Sequence, residues 1–246
     1  MTIVCIETST SVCSAAICKD GVLIKQCINY EGSNHARLLP LYIEELLAFA
    51  REQHLFIDAV ALSEGPGSYT GLRIGTATAK GLCYGLNIPL IPVPTLEVLC
   101  EAAREHSGFR IQDSDILCPM IDARRMEVYA AIYDSRQLKD ESLKLKEARA
   151  VVVEDEDSLM VSGERLSVIG ERDVYYFGDG AEKCSKVFTK PNWHFIPDIV
   201  PEAQFVGRLA VTGDRLRVTG ERIAYYEPYY LKEFIAAPSH VKGLQS

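Results

Sequence analysis

Two acidic turns and one glycine turn of this sequence have residue types that could hold the phosphates of a nucleotide. The acids are Glu7, which is followed by Thr8 and Ser9, and Asp122. A carboxylate after a strand can position a metal ion, and the backbone N–H groups of such a turn can hold phosphate oxygens. The residues of this kind are Glu7, Thr8, Ser9, Asp122, Gly178 and Gly180.

The same turns lack the features of a working phosphotransferase site. No glycine follows Glu7 or Asp122 within its turn, and Glu7 is longer than the Asp that such loops usually carry. The five histidines are far apart in sequence and form no metal-binding motif, and Ser68 does not lie in a nucleophile elbow. We predict no catalytic residue, no metal site and no cofactor.

Apolar runs and turn residues predict the elements that position these turns. The first half has predicted strands at 2–8, 13–19, 22–29, 58–63 and 89–93, and helices at 35–52, 69–86 and 95–105. This order of strands and crossover helices indicates a mixed sheet covered on both faces. It is the order of one half of the actin-like ATPase (ASKHA, ribonuclease-H-like) fold. We therefore predict an α/β protein of two subdomains, each built on a mixed β-sheet with flanking helices.

The second half of the chain has a less regular pattern. We predict strands at 115–121, 127–133 and 174–177, a short helix to about 188 and a helix from 201 to about 209. A polar run near 105–113 indicates the boundary between an N-terminal subdomain, 1–105, and a C-terminal subdomain, 106–246. We expect the last helix and the tail to pack back on the first subdomain.

A short sequence unit occurs in two copies, at 163–172 and 213–222. The copies are too few and too short for a repeat protein. We interpret them as a duplicated insertion that forms a hairpin or a loop.

Composition and charge limit the class of protein. The formal net charge is −8, so the surface as a whole will not attract a phosphate backbone, and we expect weak direct binding of nucleic acid. No apolar run approaches the roughly 20 residues of a membrane helix. The eight cysteines lie in or beside apolar runs and form no C-x-x-C pair, which predicts reduced, buried thiols. We predict a cytoplasmic protein that does not contact membranes.

The helices at 35–52 and 69–86 have more apolar surface than one sheet requires. In the second helix, Gly71, Gly75 and Ala79 recur every fourth residue, so another backbone could approach closely there. Two interpretations stay open: the helices pack against each other within the monomer, or they form a patch that binds a partner. We also predict helix caps: Ser68 or Thr70 caps the second helix, and Thr95 caps the third.

A second glycine turn, Gly65 to Gly67, which we call the glycine turn from here on, and the segments around it resemble the TsaB (YeaZ) family. The matching residues are Glu64 to Gly75, Ala79 to Leu82, Ile88 to Leu90, Asp122 to Arg124, Glu127 to Tyr129, Gly178 to Ala181 and Pro228 to Lys232. The sequence departs from the family pattern at Glu7, where the family usually has Asp, and at the two inserted copies.

The resemblance implies a non-catalytic scaffold that pairs with the related enzyme TsaD and works with the ATPase TsaE. Such a complex transfers threonylcarbamoyl to the adenosine next to the anticodon of tRNA, and tRNA is reached only through the complex. The ligand histidines of TsaD correspond here to Thr95 and Leu99, which cannot hold a transition metal.

The resemblance also places the TsaD contact on the two helices. The implied interface residues are Leu38, Leu39, Tyr42, Leu46, Tyr69, Thr70, Gly71, Arg73, Ile74, Gly75 and Thr78. A charge at Leu46 or Gly75 should then weaken pairing more than folding. A homodimer through the same helices is one alternative. The other is an actin-like ATPase or small-molecule kinase that acts alone, with metal–nucleotide contacts from Glu7 and Asp122.

Overall fold

The computed structural model describes residues 1–32, 34–106, 110–135, 144–160, 171–213 and 215–232. Its first five strands are β1 (Thr2–Glu7), β2 (Cys13–Lys19), β3 (Val22–Asn29), β4 (Ala59–Gly65) and β5 (Leu90–Pro94). They form one sheet in the order β3-β2-β1-β4-β5. The first three strands pair antiparallel, and β4 and β5 join in parallel, so the predicted mixed sheet is confirmed.

The helices of this half cover both faces of the sheet. They are α1 (His35–Glu52), α2 (Tyr69–Leu86) and α3 (Thr95–Glu105), with the predicted bounds. α1 and α2 pack over the face that carries Val4 and Ile6, whereas α3 packs over the face that carries Ile3 and Cys5. Alternate residues of β1 thus enter different cores because successive side chains of a strand point to opposite faces.

The second half repeats this topology. Its strands are β6 (Ile116–Asp122), β7 (Glu127–Asp134), β8 (Lys144–Val152), β9 (Val174–Phe177) and β10 (Trp193–Ile196). The order β10-β9-β6-β7-β8 matches that of the first sheet, with β6 in the place of β1. The duplicated arrangement confirms the predicted actin-like fold. The sequence pattern predicts neither β8, which carries four charged side chains, nor β10.

Two further helices complete the described chain, α4 (Ala181–Cys184) and α5 (Ala203–Ala210). α5 follows the second sheet in sequence but packs against β1 and β2 of the first. It comes close because Gly207 has no side chain: a Cβ there would lie 2.3 Å from Sγ of Cys18. α3 and α5 share one core with residues of both sheets. The division of the chain near residue 105 stays a prediction.

The second copy of the sequence unit lies along the edge of β5. Leu90 N donates to Val218 O at 3.0 Å and Val218 N donates to Leu90 O at 2.8 Å, and a 3-10 turn follows at Gly220–Ile223. Apart from this bridge and turn, the described residues of the copy form no helix or strand, so the copy is a loop that one backbone bridge holds against the edge of β5. Residues 163–170 of the first copy lie outside the described residues.

All eight cysteines are buried free thiols, as the sequence predicts.

Candidate functional site

The turn between β4 and α2 fixes which face of α2 is turned inward. Ser68 caps the helix, since its hydroxyl accepts a hydrogen bond from Gly71 N at 3.3 Å, in agreement with the sequence. A Cβ on Gly71 would lie 2.0 Å from Thr8 O, and one on Gly75 would lie 2.4 Å from Thr8 Oγ1. Gly71 and Gly75 therefore face the protein's own first turn. The structure contradicts the prediction that a partner contacts these two residues.

Leu39 and Leu46 of α1 are also turned inward. Both side chains are 0% exposed, because they lie on the same helical face as Ile43 and Ala50, against the sheet. The prediction that Leu39 and Leu46 belong to an interface is wrong. A charge at Leu46 would disrupt folding first.

The other predicted interface residues are half-buried or exposed. Leu38 and Tyr42 are half-buried, with Tyr42 on the side of α1 near Cys27 and Glu45. In α2, Thr70 and Arg73 are exposed, whereas the half-buried residues are Tyr69, Ile74 and Thr78. Contact of these residues with a partner stays a prediction.

Part of the outward side of the two helices is a surface of mostly small and apolar residues. Ala77, Gly81 and Gly85 are exposed at every fourth position of α2, and a Cβ added at Gly81 or Gly85 would meet no atom within 4 Å. On α1, Leu41 is 55% exposed. We call this surface the docking face, formed by Leu41, Ala48, Thr70, Arg73, Ala77, Gly81 and Tyr84.

The sequence analysis did not identify Ala77 and Gly81. Two series of small residues run along α2 at the same spacing, one through Gly71, Gly75 and Ala79 and one through Ala77 and Gly81. In the structure the first series is buried and the second is exposed.

A cleft of about 920 Å³ lies between the two halves, near the ends of β1 and β6. Ser9 and Asp122 line it, together with residues of the glycine turn and of the tail. Glu7 lies behind Ser9, fully buried, and its Oε1 accepts a hydrogen bond of 2.6 Å from Ser9 N. Burial raises the pKa of the Glu7 carboxyl above its ordinary value, and the hydrogen bonds from Ser63 and Ser9 offset this only in part.

The other acid and the two glycines also have partners within the chain. Lys183 forms an ion pair with Asp122. A Cβ on Gly178 would lie 2.3 Å from Met120 O, and one on Gly180 would lie 2.8 Å from the carbonyl carbon of Ile121. Close packing against β6 therefore accounts for both glycines.

Thr95 does not cap α3 as predicted. Its hydroxyl lies 2.7 Å from Ser63 Oγ and accepts a hydrogen bond from Gly65 N at 3.0 Å, so it ties α3 to the glycine turn. Leu99 is fully buried. Across the described ranges of the chain, no three His, Cys, Asp or Glu side chains are grouped so that they could bind a metal ion. None of the helices within those ranges is both long and apolar enough to cross a membrane.

Comparison with known proteins finds similarity to TsaD by its family model and to TsaB and YeaZ proteins by sequence and fold. Residues 29–199 match the family model of TsaD, tRNA N6-adenosine threonylcarbamoyltransferase. The chain is 36% identical over 131 residues to the tRNA threonylcarbamoyladenosine biosynthesis protein TsaB of Haemophilus influenzae, and this match spans 52% of each protein. It is 29% identical to the Bacillus subtilis protein of the same name over 211 residues, which are 85% of this chain and 81% of that one.

The fold comparison agrees with the sequence comparison. A Pseudomonas aeruginosa protein described as similar to peptidase YEAZ superposes with a TM-score of 0.71 at 21% identity, covering 94% of this chain and 99% of that one. A second structure, YeaZ from Pseudomonas aeruginosa, gives a TM-score of 0.65 at 24% identity, covering 85% and 89%. The chain therefore belongs to the TsaB (YeaZ) family, and its match to the TsaD family model over residues 29–199 fits the relationship between the two families.

Proposed function

We propose that this chain is a non-catalytic subunit that pairs with a TsaD-type enzyme through the docking face. Together with the ATPase TsaE, the pair supports transfer of threonylcarbamoyl to the adenosine next to the anticodon of tRNA. The Haemophilus influenzae match spans about half the length of that relative, and the Bacillus subtilis match spans most of its length.

One observation carries this proposal: Ala77 and Gly81 are exposed in the middle of a helix, with open space above Gly81. A glycine within a helix costs about 1 kcal/mol relative to alanine. Nothing packed against Gly81 within the described chain compensates for that cost. A second helix that approaches the small residues closely would do so, because small side chains let two helix backbones come together.

The neighbouring side chains add apolar area to such a contact. Leu41 is 55% exposed and Tyr84 is 90% exposed on the same side of the molecule. Each Å² of apolar surface removed from water contributes about 25 cal/mol, less the cost of association. Because the chain and the TsaD enzymes share a domain, the partner would offer a helix pair of the same kind.

The acids of the cleft support a non-catalytic role. Glu7 is buried with a raised pKa, and Asp122 is paired with Lys183. Glu7 is not among the residues that line the cleft and the Asp122 carboxylate is paired with Lys183, whereas a magnesium ion needs carboxylate oxygens that are free to coordinate it. The kinase alternative requires metal–nucleotide contacts from both Glu7 and Asp122. We propose that tRNA is reached only through the complex and that the protein acts in the cytoplasm.

The test is co-purification and calorimetry with the TsaD-type enzyme of the same organism. We expect Ala77→Arg and Gly81→Arg to abolish pairing while the thermal unfolding midpoint stays within about 2 °C of the unmodified protein. Val152→Arg is the matched control, because Val152 is 62% exposed on the second sheet. Unchanged pairing of both helix variants would refute the proposal.

Two further outcomes separate the alternatives. Tight binding and turnover of Mg-ATP by the isolated chain would favour the stand-alone kinase. Self-association that both arginine variants abolish, without any binding of the TsaD-type enzyme, would favour the homodimer.

A further inference from the structure

The last described residues of the chain cross from one half of the molecule to the other along α2. We call residues 226–232 the C-terminal strap. Tyr226 O accepts a hydrogen bond of 2.8 Å from Lys80 Nζ of α2. Tyr229 N donates to Glu64 O at 2.7 Å, next to the glycine turn. The strap is thus hydrogen-bonded to the helix that carries the docking face.

The far end of the strap is held by the second half. Lys232 forms an ion pair with Glu127 of β7, and Pro228 is buried in the middle of the strap. Anchors on both sides of Tyr230 therefore restrict where its ring can lie.

Tyr230 completes a cluster at the rim of the docking face. Its ring centroid lies 5.1 Å from that of Tyr69, with the ring planes tilted by 37°. The guanidinium of Arg73 lies over the Tyr69 ring at 5.4 Å, and Arg73 Nη1 donates to Tyr69 Oη at 2.8 Å. The two tyrosines therefore fix the orientation of a guanidinium group.

Arg73 has donors left over. A guanidinium carries five N–H donors, and the hydrogen bond to Tyr69 Oη uses one of them. Arg73 is exposed, and within the ranges that the structure describes it forms no ion pair with a carboxylate. It lies one helical turn before Ala77, so its free donors open onto the docking face.

We propose that the Tyr69–Arg73–Tyr230 cluster is a preformed recognition point for a carboxylate of the protein that binds the docking face, and that the C-terminal strap positions it. This proposal rests on the proposed function and names the chemistry that the TsaD-type partner must present. A planar guanidinium can bind a carboxylate through two parallel hydrogen bonds. Holding the group in place before binding lowers the entropy that association costs. Arg73 contacts the partner, whereas Tyr230 is a positioning residue.

The test is calorimetric titration of the full chain with the TsaD-type enzyme at low and high salt. We expect Arg73→Gln to weaken binding about tenfold or more, as is typical when an arginine hot spot is removed. Arg73→Lys should recover only part of this loss, because lysine keeps the charge and loses the planar fork. The affinity of Arg73→Gln should also fall less steeply with salt than that of the unmodified chain.

The strap is tested with a matched pair of tyrosines. Tyr230→Ala should weaken binding several-fold, and Tyr230→Phe should restore it because the ring is kept. Tyr225→Ala is the control, since Tyr225 is 85% exposed and lies just before the strap. Unfolding midpoints of all variants show whether a loss of binding reflects a loss of folding.

The outcomes separate the two proposals. If the unmodified chain does not bind the enzyme, the proposed function fails. A second outcome is that the unmodified chain binds the enzyme and Ala77→Arg abolishes binding. If every Arg73 and Tyr230 variant then binds with normal affinity and normal salt dependence, only the proposed recognition point is wrong. An equal loss in Tyr225→Ala and Tyr230→Ala would overturn the role of the strap.

Discussion

The side-chain hydroxyl of Thr8 donates a hydrogen bond of 2.8 Å to the backbone carbonyl of Gly71. This bond joins the turn after β1 to the first turn of α2. The two backbones come so close that no side chain fits at Gly71. As a result Gly71 faces inward, and the series through Ala77 and Gly81 faces outward.

Two glycines of the same helix should therefore respond in opposite ways to alanine. Gly71→Ala should lower the free energy of unfolding by about 2 kcal/mol or more, because the new methyl group would overlap Thr8 O. Gly81→Ala should raise it by about 0.5–1 kcal/mol, since space is open there and alanine favours a helix. Urea denaturation measures both. Equal effects at the two positions would show that the inward face of α2 has been misassigned.

Substitutions of two leucines of α1 should distinguish effects on folding from effects on binding of the TsaD-type enzyme. Leu46→Glu should cost about 3 kcal/mol or more of stability, because it places a charge where the native side chain is 0% exposed. Leu41→Glu should change stability by less than about 0.5 kcal/mol, because Leu41 is 55% exposed. The same Leu41 variant should nevertheless weaken binding of the TsaD-type enzyme. Denaturation of both variants measures their stability, and calorimetry measures their binding of the TsaD-type enzyme. A folded Leu46→Glu protein would contradict the assignment of that face to the core.

The stability of the protein should fall with rising pH through the ionisation of Glu7. Burial raises the pKa of this carboxyl in the folded state above its value in the unfolded chain. The unfolded state therefore loses its proton first, and the contribution of Glu7 to stability is fully present below the unfolded pKa. That contribution decreases as the pH rises towards the folded pKa.

Glu7→Gln is the variant that tests this dependence, because it keeps an acceptor for Ser9 N and cannot ionise. The variant should gain stability relative to the unmodified protein as the pH rises from about 4 to 8. Guanidinium denaturation at several pH values gives the difference directly. A difference that stays constant with pH would indicate that the folded pKa is not raised.

Removal of the Thr95 hydroxyl should lower the free energy of unfolding more than removal of the Thr78 hydroxyl. Thr95→Val leaves the N–H of Gly65 without its acceptor in a buried site, so we expect a loss of about 1–3 kcal/mol. Thr78→Val is the control, because Thr78 Oγ1 only donates to Ile74 O within its own half-exposed helix. Its effect should stay below about 0.5 kcal/mol. Thermal unfolding of the two variants checks the comparison, and a larger loss for Thr78→Val would reverse our account of the glycine turn.

Long elements with a strong local pattern were predictable from the sequence. The helices at 35–52 and 69–86 begin and end where expected, because their apolar spacing, the Ser68 cap and the flanking turns all lie within a few residues. β8 and β10 were not predictable in this way. Their place depends on pairing with strands from elsewhere in the chain, which no local pattern records.

The candidate site also combines features that the sequence predicts with features that depend on tertiary contacts. The sequence alone determined the order of the elements in the first half of the chain, the glycine turn and the family, since these depend on residue types and their spacing along the chain. Only the tertiary structure decided which side of α2 faces outward, that Glu7 is buried, and that Tyr230 lies beside Tyr69. Two series of small residues with the same helical spacing are equivalent until another part of the chain packs against one of them. Here the turn at Thr8 packs against Gly71 and Gly75, so the other series stays exposed.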